Sequence, residues 1–352
     1  CGAGLWLVRR RLLRPVAHME TGEQRRALHP VGMTISPCAA AALEGGDLRV
    51  EKRLLELVGG FRVFCQIVIP TDREPSHMVV FFHGYTSCSD IYLPSAAAQA
   101  RQGAMVVMLD LPCHGRTDGL YTYIPSWWSF ISQVWESVEL AVETARGLAG
   151  RPLKVFGMGI SLGGGILTCL SVQRPTFFSG IVLVAPMLMV SDDLMPHWLV
   201  ILLFKHVLVR LLPYWPISPS KEMTPWDFRV PEHGYTYVKL NPLSMHGLKP
   251  RLGTSWSLAF EFPAWMAARL AEVRTPFLVL HGRADRITDH NLSQRLYDSA
   301  AAKDKQIRLF DGACHCELLS CVPGCGIDWL PEQAATTSEC FQVVAAWFAA
   351  RA

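Results

Sequence analysis

The stretch Gly159-Ile160-Ser161-Leu162-Gly163 has the pattern in which a serine side chain serves as a nucleophile. The preceding residues Lys154-Val155-Phe156-Gly157 predict a short strand that runs into this pattern, and the residues after it predict a helix. A tight strand-to-helix turn needs small neighbours, which the glycines at 159 and 163–165 provide. The amino end of the helix also favours negative charge that develops beside it. We therefore predict that Ser161 is a nucleophile; the alternative is a glycine-rich turn with an incidental serine.

A serine hydroxyl needs a base within reach, and the base needs an acid that orients it. Where the serine occupies a turn of this kind, the chain order is serine, acid, histidine. Asp285 and His315 follow in that order, each just after a predicted strand, and ligand sites of open α/β sheets lie at those strand ends. We predict that Asp285 orients His315, which acts as general base and acid. Asp289 is the rival acid, although it fits better as a helix cap, and His281 and His290 are the rival bases.

An ester or amide carbonyl under attack also needs amide donors for its oxyanion. The N–H of Leu162 is one candidate because it follows the nucleophile, and the second should come from the loop after the third strand. That loop contains His83-Gly84-Tyr85, so the Tyr85 N–H is the second candidate, and Gly84 would allow close approach of the backbone. His83 could be a base, but its place before a tight loop favours a structural, hydrogen-bonded role. The residues expected to line a substrate pocket are His83, Gly84, Met187 and Trp198.

Short apolar runs alternate with helical patterns from about residue 60 onward. Most of the later runs are apolar throughout, which is typical of parallel strands covered on both faces. The runs lie at 61–69, 78–82, 104–109, 153–156, 180–185, 276–280 and 306–310, and the helical patterns at 129–148, 161–170, 291–301 and 338–349. This alternation predicts a doubly wound α/β sheet.

Residues 187–272, here called the cap, interrupt the alternation. They include an apolar stretch at 196–212 that Lys205, His206 and Arg210 interrupt too often for it to span a bilayer. An apolar helical insertion between two strands predicts a lid whose apolar face shapes a lipid-sized pocket or contacts a membrane surface. The alternative is a buried helix of the main domain.

The composition of the chain bears on whether it binds nucleic acid and on the compartment in which it works. The chain has 352 residues, a formal charge of +3 and 50% hydrophobic residues, and it lacks the basic stripe of a nucleic-acid-binding protein. The eleven cysteines are an odd number, and several fall in predicted strands and turns, which favours reduced thiols in an intracellular compartment. We expect a cytoplasmic or membrane-peripheral location, with a plastid as the alternative. Residues 1–45 are expected to be poorly ordered, as either a targeting peptide or an unstructured tail.

Taken together, the motifs resemble those of the monoacylglycerol lipase and lysophospholipase family of α/β-hydrolases, and the plant and algal branch that includes caffeoylshikimate esterase is the most similar. The motifs are His83-Gly84-Tyr85, Asp110-Leu111-Pro112-Cys113-His114-Gly115-Arg116-Thr117-Asp118-Gly119, Tyr123-Ile124-Pro125-Ser126, Gly159-Ile160-Ser161-Leu162-Gly163-Gly164, Ala185-Pro186-Met187 and His281-Gly282-Arg283-Ala284-Asp285. The resemblance spans roughly residues 50–348, cap included, and the same domain is also classed as serine aminopeptidase S33.

This resemblance implies an α/β-hydrolase fold: a mostly parallel central sheet flanked by helices, with a core of residues 46–186 and 273–352. It implies a helical cap inserted after the sixth strand of that fold, no metal, no cofactor, and a small-molecule ester as the binding partner. Carried over by motif, the catalytic triad is Ser161, Asp285 and His315, the same residues that the chain order indicates. No nucleic acid is expected as a partner, whereas peripheral membrane contact through the cap is.

We therefore expect a hydrolase of lipid-type carboxylic esters, either monoacylglycerol or lysophospholipid, that works through an acyl-enzyme. The alternatives are an esterase for a phenolic ester such as caffeoylshikimate, and a non-catalytic member of the fold that only binds ligands. Aminopeptidase activity is disfavoured because no acid stands out to bind a substrate amine. A zinc or redox site is a further alternative, although its spacing is not that of a standard zinc finger; it would use Cys314, His315, Cys316, Cys321 and Cys325.

Overall fold

The computed structural model describes residues 20–189, 197–218, 228–233, 242–243, 249–315, 317–320 and 330–352. Within these residues eight strands form one sheet in the order β1-β2-β4-β3-β5-β6-β7-β8. The pairs β1–β2 and β2–β4 are antiparallel, and all the others are parallel. The strands are β1 (Leu48–Glu56), β2 (Arg62–Pro70), β3 (His77–Phe82), β4 (Ala104–Leu109), β5 (Val155–Ile160), β6 (Ile181–Val184), β7 (Phe277–Gly282) and β8 (Lys305–Phe310).

Helices cover both faces of this sheet. In the described residues they are α1 (Gly22–Leu28), α2 (Pro37–Ala42), α3 (Leu93–Arg101), α4 (Trp127–Ala149), α5 (Leu162–Gln173), α6 (Trp198–Leu203), α7 (Val209–Leu211), α8 (Leu252–Trp256), α9 (Phe262–Ala267), α10 (His290–Ser299), α11 (Glu317–Ser320) and α12 (Pro331–Ala349). Every residue of β3, β4, β5 and β6 is buried, as a strand covered on both faces must be. Two apolar clusters, one dominated by α4 and α5 and the other by α3 and α12, form the core. The predicted doubly wound sheet is thus present.

Strand β1 is the element that hydrophobic patterning missed. Its sequence Leu-Arg-Val-Glu-Lys-Arg-Leu-Leu-Glu carries five charged residues, and only one of its nine residues is buried. It pairs along its whole length with β2 at the edge of the sheet. Charged side chains on an edge strand discourage pairing with another molecule, and they also remove the apolar signal on which the prediction rests.

The strand registers decide which loops meet at the carboxyl edge of the sheet. Phe82 at the end of β3 lies beside Gly159 of β5, and Gly282 at the end of β7 lies beside Phe310 of β8. The segments that follow β3 and β5 therefore leave the sheet together, as do those that follow β7 and β8. All four emerge at the edge where ligand sites of open α/β sheets form.

The amino-terminal expectation needs a correction, because residues 20–45 are structured. Helix α1 begins with a capping box formed by Thr21 and Gln24, and α2 follows at 37–42. The buried Arg25 side chain donates to the carbonyls of Gly115, Thr117 and Gly119. This contact spans some ninety positions in the chain, so no local pattern reveals it. Residues 1–19 lie outside the described residues, and the targeting-peptide prediction with them.

Between β6 and β7 the described parts of the cap contain helices and no strand. Helix α6 runs through a π-helical turn at Phe204–Leu208 into α7, and α8 runs through a second π-helical turn at Ser257–Glu261 into α9. No helix in the described residues has both the length and the apolar character needed to cross a membrane. The cap boundaries at 187 and 272 remain predictions.

Candidate active site

Ser161 occupies the junction between β5 and α5 with φ 53° and ψ −118°. A residue with a side chain rarely adopts such a φ, so the turn stores backbone strain. Two hydrogen bonds hold it: the Ser161 N–H donates to Val184 O at 2.9 Å, and the Met187 N–H donates to Ser161 O at 2.9 Å. The Ser161 side chain is half-buried and makes no capping hydrogen bond to its own helix. The turn therefore presents the hydroxyl at the carboxyl edge of the sheet.

Glycines let the start of α5 touch the neighbouring backbone. A Cβ at Gly163 would lie 2.1 Å from Phe82 O, and one at Gly165 would lie 2.2 Å from Met187 O. A Cβ at Gly84 would lie 3.4 Å from the Cβ of Ser161. The loop after β3 is consequently packed against the serine, which is where its predicted oxyanion role requires it to be.

Asp285 and His315 are hydrogen-bonded to one another. His315 Nδ1 lies 2.7 Å from Asp285 Oδ2, with the Asp285 side chain fully buried and that of His315 8% exposed. The carboxylate can only accept, so Nδ1 carries the hydrogen and Nε2 is left as the proton-accepting nitrogen. This is the arrangement in which an acid fixes the tautomer of a histidine base.

The other oxygen of Asp285 is held by the backbone. Its Oδ1 accepts hydrogen bonds from the N–H groups of Ile287 and Thr288 at 2.8 and 2.9 Å. Burial alone would raise the pKa of Asp285, but the charge of His315 and the hydrogen bonds from His281 and His315 outweigh it, so the pKa lies well below its usual value. Asp285 is therefore a carboxylate, never an acid, at any pH near neutrality.

Two further side chains reach the same carboxylate, and neither was predicted to do so. The Thr288 hydroxyl lies 2.8 Å from Asp285 Oδ2 and 3.1 Å from His315 Nδ1. His281 Nε2 lies 3.2 Å from Asp285 Oδ2, and its Nδ1 lies 2.8 Å from Ser293 Oγ. The sequence does place both residues near Asp285: Thr288 is three positions after it and His281 four positions before it. Side chains at these separations can meet in a tight turn after a strand.

The rival candidates have other roles in this structure. His281 is fully buried behind Asp285, with both nitrogens engaged, so it does not offer a base to Ser161. Asp289 caps α10 by accepting the Asn291 N–H at 2.8 Å, as predicted. His290 is the first residue of that helix.

The loop proposed for the oxyanion contains one buried histidine. His83 Nδ1 contacts Gly84 O at 2.8 Å, and its Nε2 accepts the N–H of Leu111 at 3.0 Å. Burial lowers the pKa of His83 to about 4, so the ring is neutral. With both nitrogens bonded to the main chain, His83 shapes the loop and has no nitrogen left to contact a substrate, which corrects its assignment to the pocket.

The Leu162 N–H, at the start of α5, has no carbonyl within the helix to bond.

A network on the far side of His315 was also missed. The fully buried Glu317 carboxylate accepts the N–H of Cys314 at 3.1 Å, a side-chain N–H of Gln333 at 2.6 Å and Arg229 Nη2 at 3.1 Å. Arg229 belongs to the cap, and its Nη2 also donates to Gly312 O at 2.7 Å. The turn that carries His315 is therefore tied both to α12 and to the cap.

An apolar groove of about 570 Å³ lies between the cap and α10. Its lining includes Met189, Ile201, Trp256, Phe260, Pro263, Leu292 and Arg295. Met187 is bonded to the serine turn, as described above, but Trp198 is 60% exposed at the start of α6 and does not line the groove. Trp198 is thus better described as part of the outer surface of the cap.

Within the described residues, no group of three or more His, Cys, Asp or Glu side chains could hold a metal ion. The cysteines that the structure describes are thiols, and all but Cys314 are buried. Three residues of the zinc alternative, Cys316, Cys321 and Cys325, lie outside the described residues.

A family profile described as serine aminopeptidase, S33, matches residues 73–320. A monoacylglycerol lipase from Mycolicibacterium smegmatis is 30% identical over 73% of this chain and 87% of its own length. The caffeoylshikimate esterase of Arabidopsis thaliana is 26% identical over 76% and 79%, and the human monoglyceride lipase is 26% identical over 73% and 80%. The motif resemblance is confirmed.

Solved structures extend the comparison to the fold. A monoglyceride lipase from Saccharomyces cerevisiae, in complex with a substrate analogue, matches with a TM-score of 0.68 at 15% identity, over 92% of this chain and 97% of its own. The monoacylglycerol lipase of Paleococcus ferrophilus matches with a TM-score of 0.60 at 24% identity, over 87% and 99%. The predicted α/β-hydrolase fold is confirmed.

Proposed function

Because the chain belongs to the serine aminopeptidase S33 family of hydrolases, we propose that it is a serine hydrolase that cleaves carboxylic esters of lipid type. The observation that carries the proposal is the 2.7 Å contact between His315 Nδ1 and Asp285 Oδ2, at the same sheet edge as the strained turn of Ser161. The relatives named above as lipases and an esterase support ester bonds over peptide bonds.

In the proposed reaction His315 Nε2 takes the hydroxyl proton of Ser161, and Ser161 Oγ attacks the ester carbonyl. The N–H groups of Leu162 and Tyr85 donate to the oxyanion of the tetrahedral intermediate. His315 then gives its proton to the departing alcohol, which leaves an acyl group on Ser161. Water, deprotonated by His315, attacks the acyl-enzyme; the bond to Ser161 Oγ breaks, His315 returns the proton to that oxygen, and the fatty acid is released. Asp285, ionised because its pKa is depressed, stabilises the imidazolium in both steps.

Two features favour a lipid as the substrate. The groove beside the cap is apolar apart from Arg295, and we propose that it takes the acyl chain, although none of Ser161, Asp285 and His315 is among its lining residues. The apolar side chains of α6 are also exposed: Trp198, Leu199, Val200 and Leu203 are between 53% and 60% exposed. Exposed apolar surface of this extent is typical of a binding face. We propose that α6 contacts the lipid surface from which the substrate is drawn.

A phenolic ester is the second candidate, and the similarity to caffeoylshikimate esterase favours it. The two candidates differ in the group that the pocket must bury, a flexible chain in one case and a planar ring in the other. Purified protein assayed with monoacylglycerols, lysophospholipids and caffeoylshikimate would separate them. A specificity constant highest for caffeoylshikimate would contradict the lipid assignment.

Replacing the nucleophile tests the reaction itself. Ser161→Ala removes the attacking oxygen, so turnover of p-nitrophenyl butyrate should fall at least about a thousandfold. Ser299→Ala, which removes an exposed hydroxyl at the end of α10, is the matched control and should leave the rate unchanged. Undiminished hydrolysis by Ser161→Ala would contradict the proposal.

A further inference from the structure

The turn that carries His315 comprises residues 312–315, and each of them makes a hydrogen bond to another part of the protein. Gly312 has φ 70°, and its carbonyl accepts Arg229 Nη2; the Ala313 carbonyl accepts the N–H of Ala284, at 3.1 Å, from the loop that carries Asp285. The Cys314 N–H donates to the Glu317 carboxylate. The His315 ring contacts Asp285 and Thr288 through Nδ1. The position of the ring therefore depends on the turn beneath it.

Glu317 is the residue on which this turn depends most. Its side chain is completely buried, and a buried carboxylate is stable only when its charge is paired and its oxygens are hydrogen-bonded. Gln333 supplies a neutral donor to Oε1, and among the described residues the one cation paired with Glu317 is Arg229. Without that cation the buried charge of Glu317 would be left uncompensated, so its surroundings would have to rearrange.

The cation comes from a different part of the chain. Arg229 lies in the cap, 86 positions before His315 in sequence, and its side chain is 25% exposed. One guanidinium nitrogen, Nη2, serves both the Gly312 carbonyl before His315 and the Glu317 carboxylate after it. A single cap residue thus bridges the two ends of the histidine turn.

We propose that Arg229 and Glu317 are positioning residues for the reaction, and that their ion pair holds the turn that carries His315. The inference rests on the proposed function, because it assigns His315 the role of base. Neither side chain touches the reacting atoms; they act by holding the turn that aims Nε2 at Ser161.

Substitutions of Arg229 test this coupling, with the purified protein as the enzyme and p-nitrophenyl butyrate as the substrate. Arg229→Met should lower kcat at least tenfold while KM changes less than twofold, because the substrate still binds but meets a misplaced base. Arg229→Lys restores the cation and should remain within threefold of the wild type. Arg308→Met is the matched control: it removes an exposed arginine of the neighbouring strand that pairs with the exposed Glu339, and it should leave kcat unchanged.

A double substitution separates coupling from general loss of stability. Glu317→Gln should lower kcat as Arg229→Met does, and the double variant should be no slower than the slower single variant, since both remove one interaction. Unfolding curves of each variant establish that it is folded at the assay temperature. A kcat for Arg229→Met equal to that of Arg308→Met, or losses that multiply in the double variant, would overturn the inference.

The series also distinguishes the inference from the function on which it rests. A wild-type protein with no turnover that depends on Ser161 overturns both. Turnover that depends on Ser161 but not on Arg229 overturns only the coupling.

Discussion

Thr288 occupies the centre of the contacts that join Asp285 to His315. Its hydroxyl is 2.8 Å from the carboxylate, 3.1 Å from the ring nitrogen and 3.2 Å from Ala185 O. Its backbone N–H donates to the other carboxylate oxygen. The threonine therefore fixes the carboxylate in two ways, through backbone and side chain, and the orientation of His315 follows from it.

We expect Thr288→Val to lower kcat about fivefold, since it removes one hydrogen bond worth about 1 kcal/mol from the acid–base pair and leaves the backbone bond intact. KM should stay near the wild-type value because the substrate does not touch this side chain in the proposed mechanism. Steady-state kinetics on one ester measures both constants. Thr288→Ser, which keeps the hydroxyl, is the control; a kcat as low as that of the valine variant would contradict the role of the hydrogen bond.

Chain order and strand ends were enough to predict that Asp285 and His315 meet. The serine turn was also predictable, because the glycines it requires are visible in the sequence. The contacts of Thr288 and His281 with Asp285 were not predicted, although both residues are near Asp285 in the chain and His281 begins the motif that contains it. Arg229 could not be predicted at all, because its contacts to Gly312 and Glu317 cross more than eighty positions.

At the scale of elements, α1 shows how a segment without strong periodicity can still be part of the fold. Arg25 is fully buried, donates to carbonyls of the loop after β4, and lies 5.4 Å from the Tyr121 ring. Burial lowers its pKa to about 10, yet it stays charged at neutral pH. The Tyr121 hydroxyl in turn donates to Thr86 O, in the loop that follows Tyr85. The amino-terminal helix thus supports the loop proposed to hold the oxyanion.

Arg25→Met should reduce the free energy of unfolding by about 3 kcal/mol, because several buried carbonyls lose their donor at once. Arg49→Met, which removes an exposed arginine paired with Glu51 on β1, should change it by less than about 1 kcal/mol. Urea unfolding followed by tryptophan fluorescence measures both. Equal effects of the two substitutions would show that α1 is not anchored through Arg25.

The elements of the central sheet were the most predictable part of the chain. Buried parallel strands need continuous apolar residues, so β3 and β4 were found almost to the residue. Strand β1 and helices α1 and α2 were missed because they are stabilised by pairing and docking to distant residues. The cap was predicted from its composition as an apolar helical insertion. That composition does not indicate the π-helical turns that join its helices.

On the scale of the whole molecule, the exposed apolar surface is concentrated on one part of the cap. Exposed large apolar side chains cluster between Trp198 and Ile217, with few elsewhere in the described residues. A soluble protein rarely exposes an apolar helix without a partner for it. The π-helical turn and α7, which continue from α6, carry Lys205, His206 and Arg210, a composition that suits the boundary between lipid head groups and acyl chains.

Leu203→Asp should weaken binding to phosphatidylcholine vesicles about tenfold or more, since it replaces a leucine worth roughly 2 kcal/mol of apolar burial with a charge. Co-sedimentation with vesicles measures the bound fraction. Val58→Asp, at a side chain 92% exposed in the turn between β1 and β2, is the matched control and should bind as the wild type does. Identical binding by all three proteins would contradict contact through α6.

The central claim is that Ser161 is the nucleophile, and covalent labelling tests it most directly. The native protein, treated with a fluorophosphonate and digested for mass spectrometry, should carry one adduct on Ser161. Ser161→Ala should carry none, and protein unfolded before treatment should remain unlabelled, because the activated hydroxyl depends on His315 and Asp285. An adduct on another residue, or no adduct on folded wild-type protein that hydrolyses esters, would contradict the account.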